Sequence, residues 1–284
     1  MFILPQVIIN GFMLGSIYAL VALGFTLIFS VMHIVNFAHG EMYTLAAFFV
    51  WALTATALGA NYWLAVLISL VAVAGLAAIL QRVAFRPLRG KGFQLLVCSL
   101  GILYLLHGGM LRFFGVADKI VPSVISGRIS AWGTTLPSER VFILITAMCL
   151  IIPVYLLLYR TKIGRAMHAV SQDAEVASLY GVNPDRISYY CFIIGSVLAG
   201  VSGALLAPVF VTSVTTGHDF LFKSFVICVL GGLGSLPGAV AAGFVIGLVE
   251  SIGLTFVGNS THFFIFLILI ITLIVRPRGL FGHA

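Results

Sequence analysis

Runs of about 18–25 apolar residues recur along this chain, and none shows the alternation of period two that a strand needs. A water-soluble core has no room for so many of them. Soluble domains are about 45–50% apolar and about 25% charged, whereas this sequence is 61% hydrophobic and 8% charged. The bilayer is therefore the solvent, where only helices or a closed barrel satisfy every backbone polar group. The expected class is all-α. The chain reads as a polytopic helical membrane protein, a single transmembrane domain over residues 1–284, with about 8–9 transmembrane helices and broken helices in each half.

The net charge is +7, but the basic residues stand in clusters beside the apolar runs. Arg82, Arg86, Arg89 and Lys91 follow the third run, Arg160, Lys162 and Arg165 the fifth, and Arg276 and Arg278 the last. Such clusters mark cytoplasmic flanks and contacts with anionic lipid rather than a nucleic-acid surface. No Lys or Arg precedes Arg82, so the first run reads as a retained span with its N-terminus outside. Parity puts the loop Gly115–Arg140 outside as well. Cys98, Cys149, Cys191 and Cys228 each lie alone in an apolar run and suggest no disulfide or metal set.

Small residues form two stripes suited to close helix packing: Gly11, Gly15 and Ala19, and Gly195, Ala199, Gly203 and Ala207. Polar or glycine-rich breaks interrupt the apolar pattern at Ser30–Glu41 and Gly231–Gly238. Paired interruptions point to a transport pathway built from repeats. Asn36, His39, Gly40, Glu41, Gly231, Gly232, Gly234 and Glu250 are accordingly the candidates for path or hinge. Keeping Arg160–Arg186 and the last basic cluster on one side requires Leu221–Leu233 to cross by itself, giving nine spans. Eight result if one broken segment is re-entrant.

A metal site in the first break is not expected. His33 and His39 are six residues apart, off a common helix face, and Glu41 follows too closely. Glu250 lies inside an apolar run and reads equally as a buried functional acid or an interfacial residue, while His218, Asp219 and Lys223 read as interfacial. There is no phosphate-binding G-x-x-x-x-G-K-[ST] loop and no plausible catalytic triad. Transport is favoured over catalysis, with no catalytic residue and no cofactor in this chain.

The polar stretch Arg160–Arg186 concentrates charge between two spans. Ser171 or Asp173 can cap a short helix there, Gly181 can end it, and Asn183-Pro184 stops it. Ser171, Gln172, Asp173, Ala174, Glu175, Val176, Ala177, Leu179 and Gly181 would then form a cytoplasmic docking surface. A solvated connector is the equal alternative on these residues alone.

Several segments, in order, carry a resemblance: NGFMLGSIYALVALGFTLIFSVMHIVNFAHGEMY (Asn10–Tyr43), FRPLRG (Phe85–Gly90), GRAMHAVSQDAEVASLYGVNPDR (Gly164–Arg186), LAGVSGAL (Leu198–Leu205), GGLGSLPGAVAAGFVIGLVE (Gly231–Glu250) and RPRGLFG (Arg276–Gly282). Together they resemble the branched-chain amino acid ABC-transporter permeases of the H type. The resemblance implies an inner-membrane subunit paired with a second related permease and two ATP-hydrolysing subunits, with ATP bound by those partners. A periplasmic solute-binding protein would deliver leucine, isoleucine or valine. Ser171–Gly181 would be the coupling helix. Urea, short amides or another amino acid remain alternative solutes within the family; a stand-alone secondary transporter is the alternative of another class.

Overall fold

A computed structural model describes residues 3–55, 59–125, 127–131, 134–258, 261–276 and 279–281. Arg278 of the last basic cluster, and Gly282, lie outside them. The described chain is helical apart from one antiparallel hairpin, Arg128–Ala131 with Thr134–Pro137, in the loop between the fourth and fifth spans.

The helices are α1 (Ile3–Met32), α2 (His39–Ala55), α3 (Tyr62–Leu80), α4 (Gly92–Phe114), α5 (Ser138–Arg160), α6 (Lys162–Gln172), α7 (Ala174–Leu179), α8 (Pro184–Leu206), α9 (Thr216–Gly231), α10 (Leu236–Phe256) and α11 (Thr261–Val275). Their ends follow local chemistry. Asn61 opens α3 by accepting the Trp63 N–H at 3.0 Å, and Asn183 opens α8 with Pro184 in its first turn. Beyond Leu80, α3 loosens into a π segment, Gln81–Phe85, and a 3-10 turn, Arg86–Leu88. Pro87 has no N–H with which to continue the ladder.

Both stripes of small residues pack. A Cβ on Gly247 would lie 2.3 Å from the Gly15 nitrogen, and one on Gly243 would lie 2.8 Å from Ala19. The first stripe thus lets α1 and α10 touch backbone to backbone. In the second, Gly195 meets the Gly24 carbonyl of α1 and Gly203 meets Tyr43 of α2. Without a hydrophobic drive between helices in lipid, such close approach supplies the dispersion contact.

Helix α2 is buried along His39–Phe48 and packs between α3, α8 and α9, with α4 alongside. It starts deep in the bundle. His33 has φ +54 and ends α1, and segment 33–38 then turns back until His39 meets the Val21 carbonyl. Val21 lies eleven residues before Met32, a climb of about 16 Å at 1.5 Å per helical residue.

Among the described residues, six helices are long and apolar enough to cross a bilayer: Leu4–Met32, Tyr62–Leu88, Gly92–Phe114, Ser138–Arg160, Pro184–Leu206 and Leu236–Phe256. The other apolar helices are shorter: 17 residues in α2, 16 in α9 and 15 in α11. Length alone therefore gives six and does not reach the expected eight or nine, because α2, α9 and α11 are each too short to be counted by it. The exposed apolar side chains of α3 (Leu67, Val71), α5 (Ile145, Ile152) and α11 (Ile270, Ile274) form the outer surface.

Candidate functional site

Three polar features stand out against this apolar frame. The first is at the start of α2. Asn36 turns the chain by accepting the Ala38 N–H on its Oδ1 at 3.2 Å. The His39 Nε2 lies 3.1 Å from the Val21 carbonyl, so this nitrogen carries the proton and donates it. Gly40 faces Gly217 of α9 so closely that any Cβ would strike the Gly217 carbonyl. Glu41 is 0% exposed and reaches toward His107 of α4 and His218 of α9. Of the expected residues, Asn36, His39, Gly40 and Glu41 thus do line one deep segment, while His33 is exposed at the end of α1. His218, in the first turn of α9, also belongs to this polar centre. His107 was not anticipated at all, and its only cue is an imidazole inside an apolar run.

The second feature is a buried ion pair. Lys223 Nζ of α9 reaches Glu250 Oε1 of α10 at 2.6 Å, and Tyr18 of α1 donates its hydroxyl to Glu250 Oε2 at 2.7 Å. Lys223 Nζ also donates to the Tyr18 oxygen at 2.9 Å, closing a three-residue network. Phe220 roofs it, 5.6 Å from the Tyr18 ring and stacked at 4.0 Å on Tyr43. Glu250 is thus buried in the bundle and paired, and Lys223 is its partner. Lys223 is legible as a lone cation inside the apolar run Leu221–Leu233, seven residues after Thr216, where its helix starts.

The turn at Gly231–Gly238 is separate from these centres. Gly232 and Gly234 have φ +103 and +87, conformations suited to glycine. Ser235 caps α10 by accepting the Gly238 N–H at 3.2 Å. The tail closes over the turn: Leu280 N–H donates to the Leu230 carbonyl at 2.9 Å and Phe281 N–H to Gly231 at 3.1 Å. Gly234 comes beside Ser30, so the two breaks seen in the sequence approach each other at the end of α1.

The third feature is the stretch Arg160–Arg186, which folds as two helices. Basic residues of the first half form α6, which includes Ser171 and Gln172; the Ser171 hydroxyl bonds back to the His168 carbonyl within that helix. Ser171 is therefore not the cap. Asp173 is, its Oδ1 accepting from Glu175 and Val176 N–H at 2.8 and 2.9 Å, and α7 is six residues long. Gly181 follows it with φ +81, in the left-handed conformation expected of it. Ala177 is buried, holding α7 to the body, while Val176, Leu179 and Tyr180 are 48, 81 and 86% exposed. Arg86 and Arg89 pair with Asp185 and tie this stretch to the end of α3.

With this architecture, residues 7–275 match the family described as branched-chain amino acid transport system / permease component. The chain belongs to that family. Among the relatives of this permease is the high-affinity branched-chain amino acid transport system permease protein LivH of Escherichia coli K12. It is 31% identical, over 98% of this chain and 95% of its own length. BraD of Pseudomonas aeruginosa, of the same description, is 29% identical over 98% and 95%. The probable LivH permease of Methanocaldococcus jannaschii is 28% identical over 98% and 92%. Among solved structures, PsaBC from Streptococcus pneumoniae in complex with Fab shares the fold with a TM-score of 0.53 at 10% identity, covering 95% of this chain and 91% of that one.

Proposed function

We propose that this permease is the membrane-spanning subunit of an ABC importer of the bacterial inner membrane, carrying leucine, isoleucine or valine. The family and its relatives' names support the importer and the solute class. The partners follow from that reading: a second related permease, two ABC ATPase subunits that bind the ATP, and a periplasmic solute-binding protein.

The observation that carries the coupling is α7. A helix of six residues would not persist alone in water, yet here a cap, a left-handed glycine end and a buried Ala177 fix it. Val176, Leu179 and Tyr180 then project beyond the membrane spans at the end bearing the basic clusters. Exposed apolar groups on a rigid polar element suit insertion into a groove of an ATPase subunit. ATP-driven motion of that subunit would be relayed through α6 and α8 to the bundle. Asn36, His39, Gly40, Glu41 and Glu250 would border the path, and Gly231, Gly232 and Gly234 the turn about which α9 and α10 move.

In this reading α1–α5 and α8–α11 make nine crossings, with α2 reached through the re-entrant segment 33–38. The test is ATP-driven uptake of labelled leucine into vesicles holding the assembled importer. Leu179→Asp is expected to abolish uptake and weaken ATPase co-purification while the permease stays in the membrane. Full uptake in that variant removes α7 as the coupling element.

A further inference from the structure

Both oxygens of the Glu41 carboxylate are buried, and neither has a hydrogen-bond partner of adequate geometry. The two ring nitrogens that face it, His107 Nδ1 and His218 Nε2, are also buried and unpartnered. These atoms come from α2, α4 and α9, and they converge. His218 Nε2 lies 3.1 Å from Glu41 Oε1 and His107 Nδ1 lies 3.9 Å from it, with all three ligand atoms within 4.8 Å of one another. The imidazole rings stack with centroids 4.9 Å apart and planes 13° from parallel.

A buried carboxylate left without partners is costly. One protonated imidazole would answer one oxygen and leave the other ring facing a like group. Charging both rings would set two stacked cations against each other. A single metal cation satisfies all three atoms together.

We propose that Glu41, His107 and His218 bind one first-row divalent cation of the Zn²⁺ type. Zinc bonds of about 2.0–2.2 Å to nitrogen and carboxylate oxygen imply edges of roughly 3.3 Å in a tetrahedron. The observed 3.1 and 3.9 Å edges bracket that length, the third lies within 4.8 Å, and ion binding would turn the two stacked rings so that their nitrogens converge. Imidazole donors select this class over Mg²⁺ or Ca²⁺, which take oxygen sets. Three protein ligands leave a fourth position open for water or a small anion. Side-chain exposure is 32% at His218 and 18% at His107, against none at Glu41, so the ion enters past His218. Once bound it staples α2 to α4 and α9. No local spacing motif announces the site, because its ligands are dispersed over three helices.

The test uses the assembled importer in lipid nanodiscs, stripped with chelator, dialysed against Zn²⁺ and assayed for bound metal by mass spectrometry. The same assembly carrying Glu41→Gln, His107→Ala and His218→Ala together supplies the baseline from the other subunits. One zinc per permease above that baseline is expected. Each single substitution should weaken binding by roughly 100-fold or more, exceeding the usual loss for an outer-shell partner, while His33→Ala leaves it unchanged. Replacement by Co²⁺ should give the visible bands of a four-coordinate site, lost in Glu41→Gln. His107→Gln and His218→Gln take the place of any alanine variant that fails to assemble. No zinc above baseline, or binding that survives any one ligand substitution, overturns the proposal. Zinc is read without transport, so failure of leucine uptake bears only on the function proposed above.

Discussion

Removing the amine of Lys223 isolates the effect of one buried charge. Lys223→Met deletes the 2.6 Å contact to Glu250 and the 2.9 Å contact to Tyr18, leaving the carboxylate with the Tyr18 hydroxyl alone. The pair is nearly closed to solvent, at 12 and 7% side-chain exposure, so water screens it little. Breaking one side of a buried pair costs about 3–5 kcal/mol, because the remaining charge is uncompensated. Tyr18→Phe removes the hydroxyl's bonds to Glu250 and Lys223 but leaves the ion pair intact, and should cost less, about 1.5–3 kcal/mol. Lys223→Met with Glu250→Leu and Tyr18→Phe removes the whole network and should recover most of the loss. At roughly 2–4 °C per kcal/mol, the single Lys223→Met change lowers the melting midpoint by roughly 6–20 °C. The assay is thermal unfolding of the detergent-solubilised permease followed by size exclusion. An unchanged midpoint in Lys223→Met, or a triple variant less stable than it, refutes the reasoning.

Gly247→Ala places a methyl group 2.3 Å from the Gly15 nitrogen and should cost about 1–3 kcal/mol in the same assay, whereas Gly75→Ala, with open space around it, should not destabilise. Asp173→Ala removes both cap bonds of α7, a loss of about 1 kcal/mol of local stability; uptake should fall while the melting midpoint of the bundle stays put. Asp185→Asn breaks a half-exposed pairing with Arg86 and Arg89 and should change stability by less than about 1 kcal/mol. A change as large as that of Lys223→Met would mean the surface pairs bear the fold.

Local patterns carried much of this into the sequence. Gly11, Gly15 and Ala19 announce a close helix contact because spacing of four is a property of one helix. Asp173 and Gly181 announce the ends of α7 because caps act within a few residues. What spacing cannot convey is a partner from elsewhere in the chain. Glu250 was visible as an acid in an apolar run, but Lys223 and Tyr18 reach it from α9 and α1. Glu41 was visible too, but its histidines come from α4 and α9. The hairpin Arg128–Ala131 with Thr134–Pro137 was hidden for a different reason: two strands of four residues barely register in composition.

The burial of α2 also bears on the order of events during synthesis. Its walls are supplied partly by α8 and α9, whose last residue, Gly231, is translated long after Ala55. At about 5–20 residues per second, the ribosome needs roughly 10–35 s to bring those walls into the membrane. For much of that interval, before α8 and α9 emerge, Glu41 and His39 have only the earlier helices for company. A nascent α2 must therefore wait, sheltered by its neighbours or by the insertion machinery, until the later half of the chain encloses it.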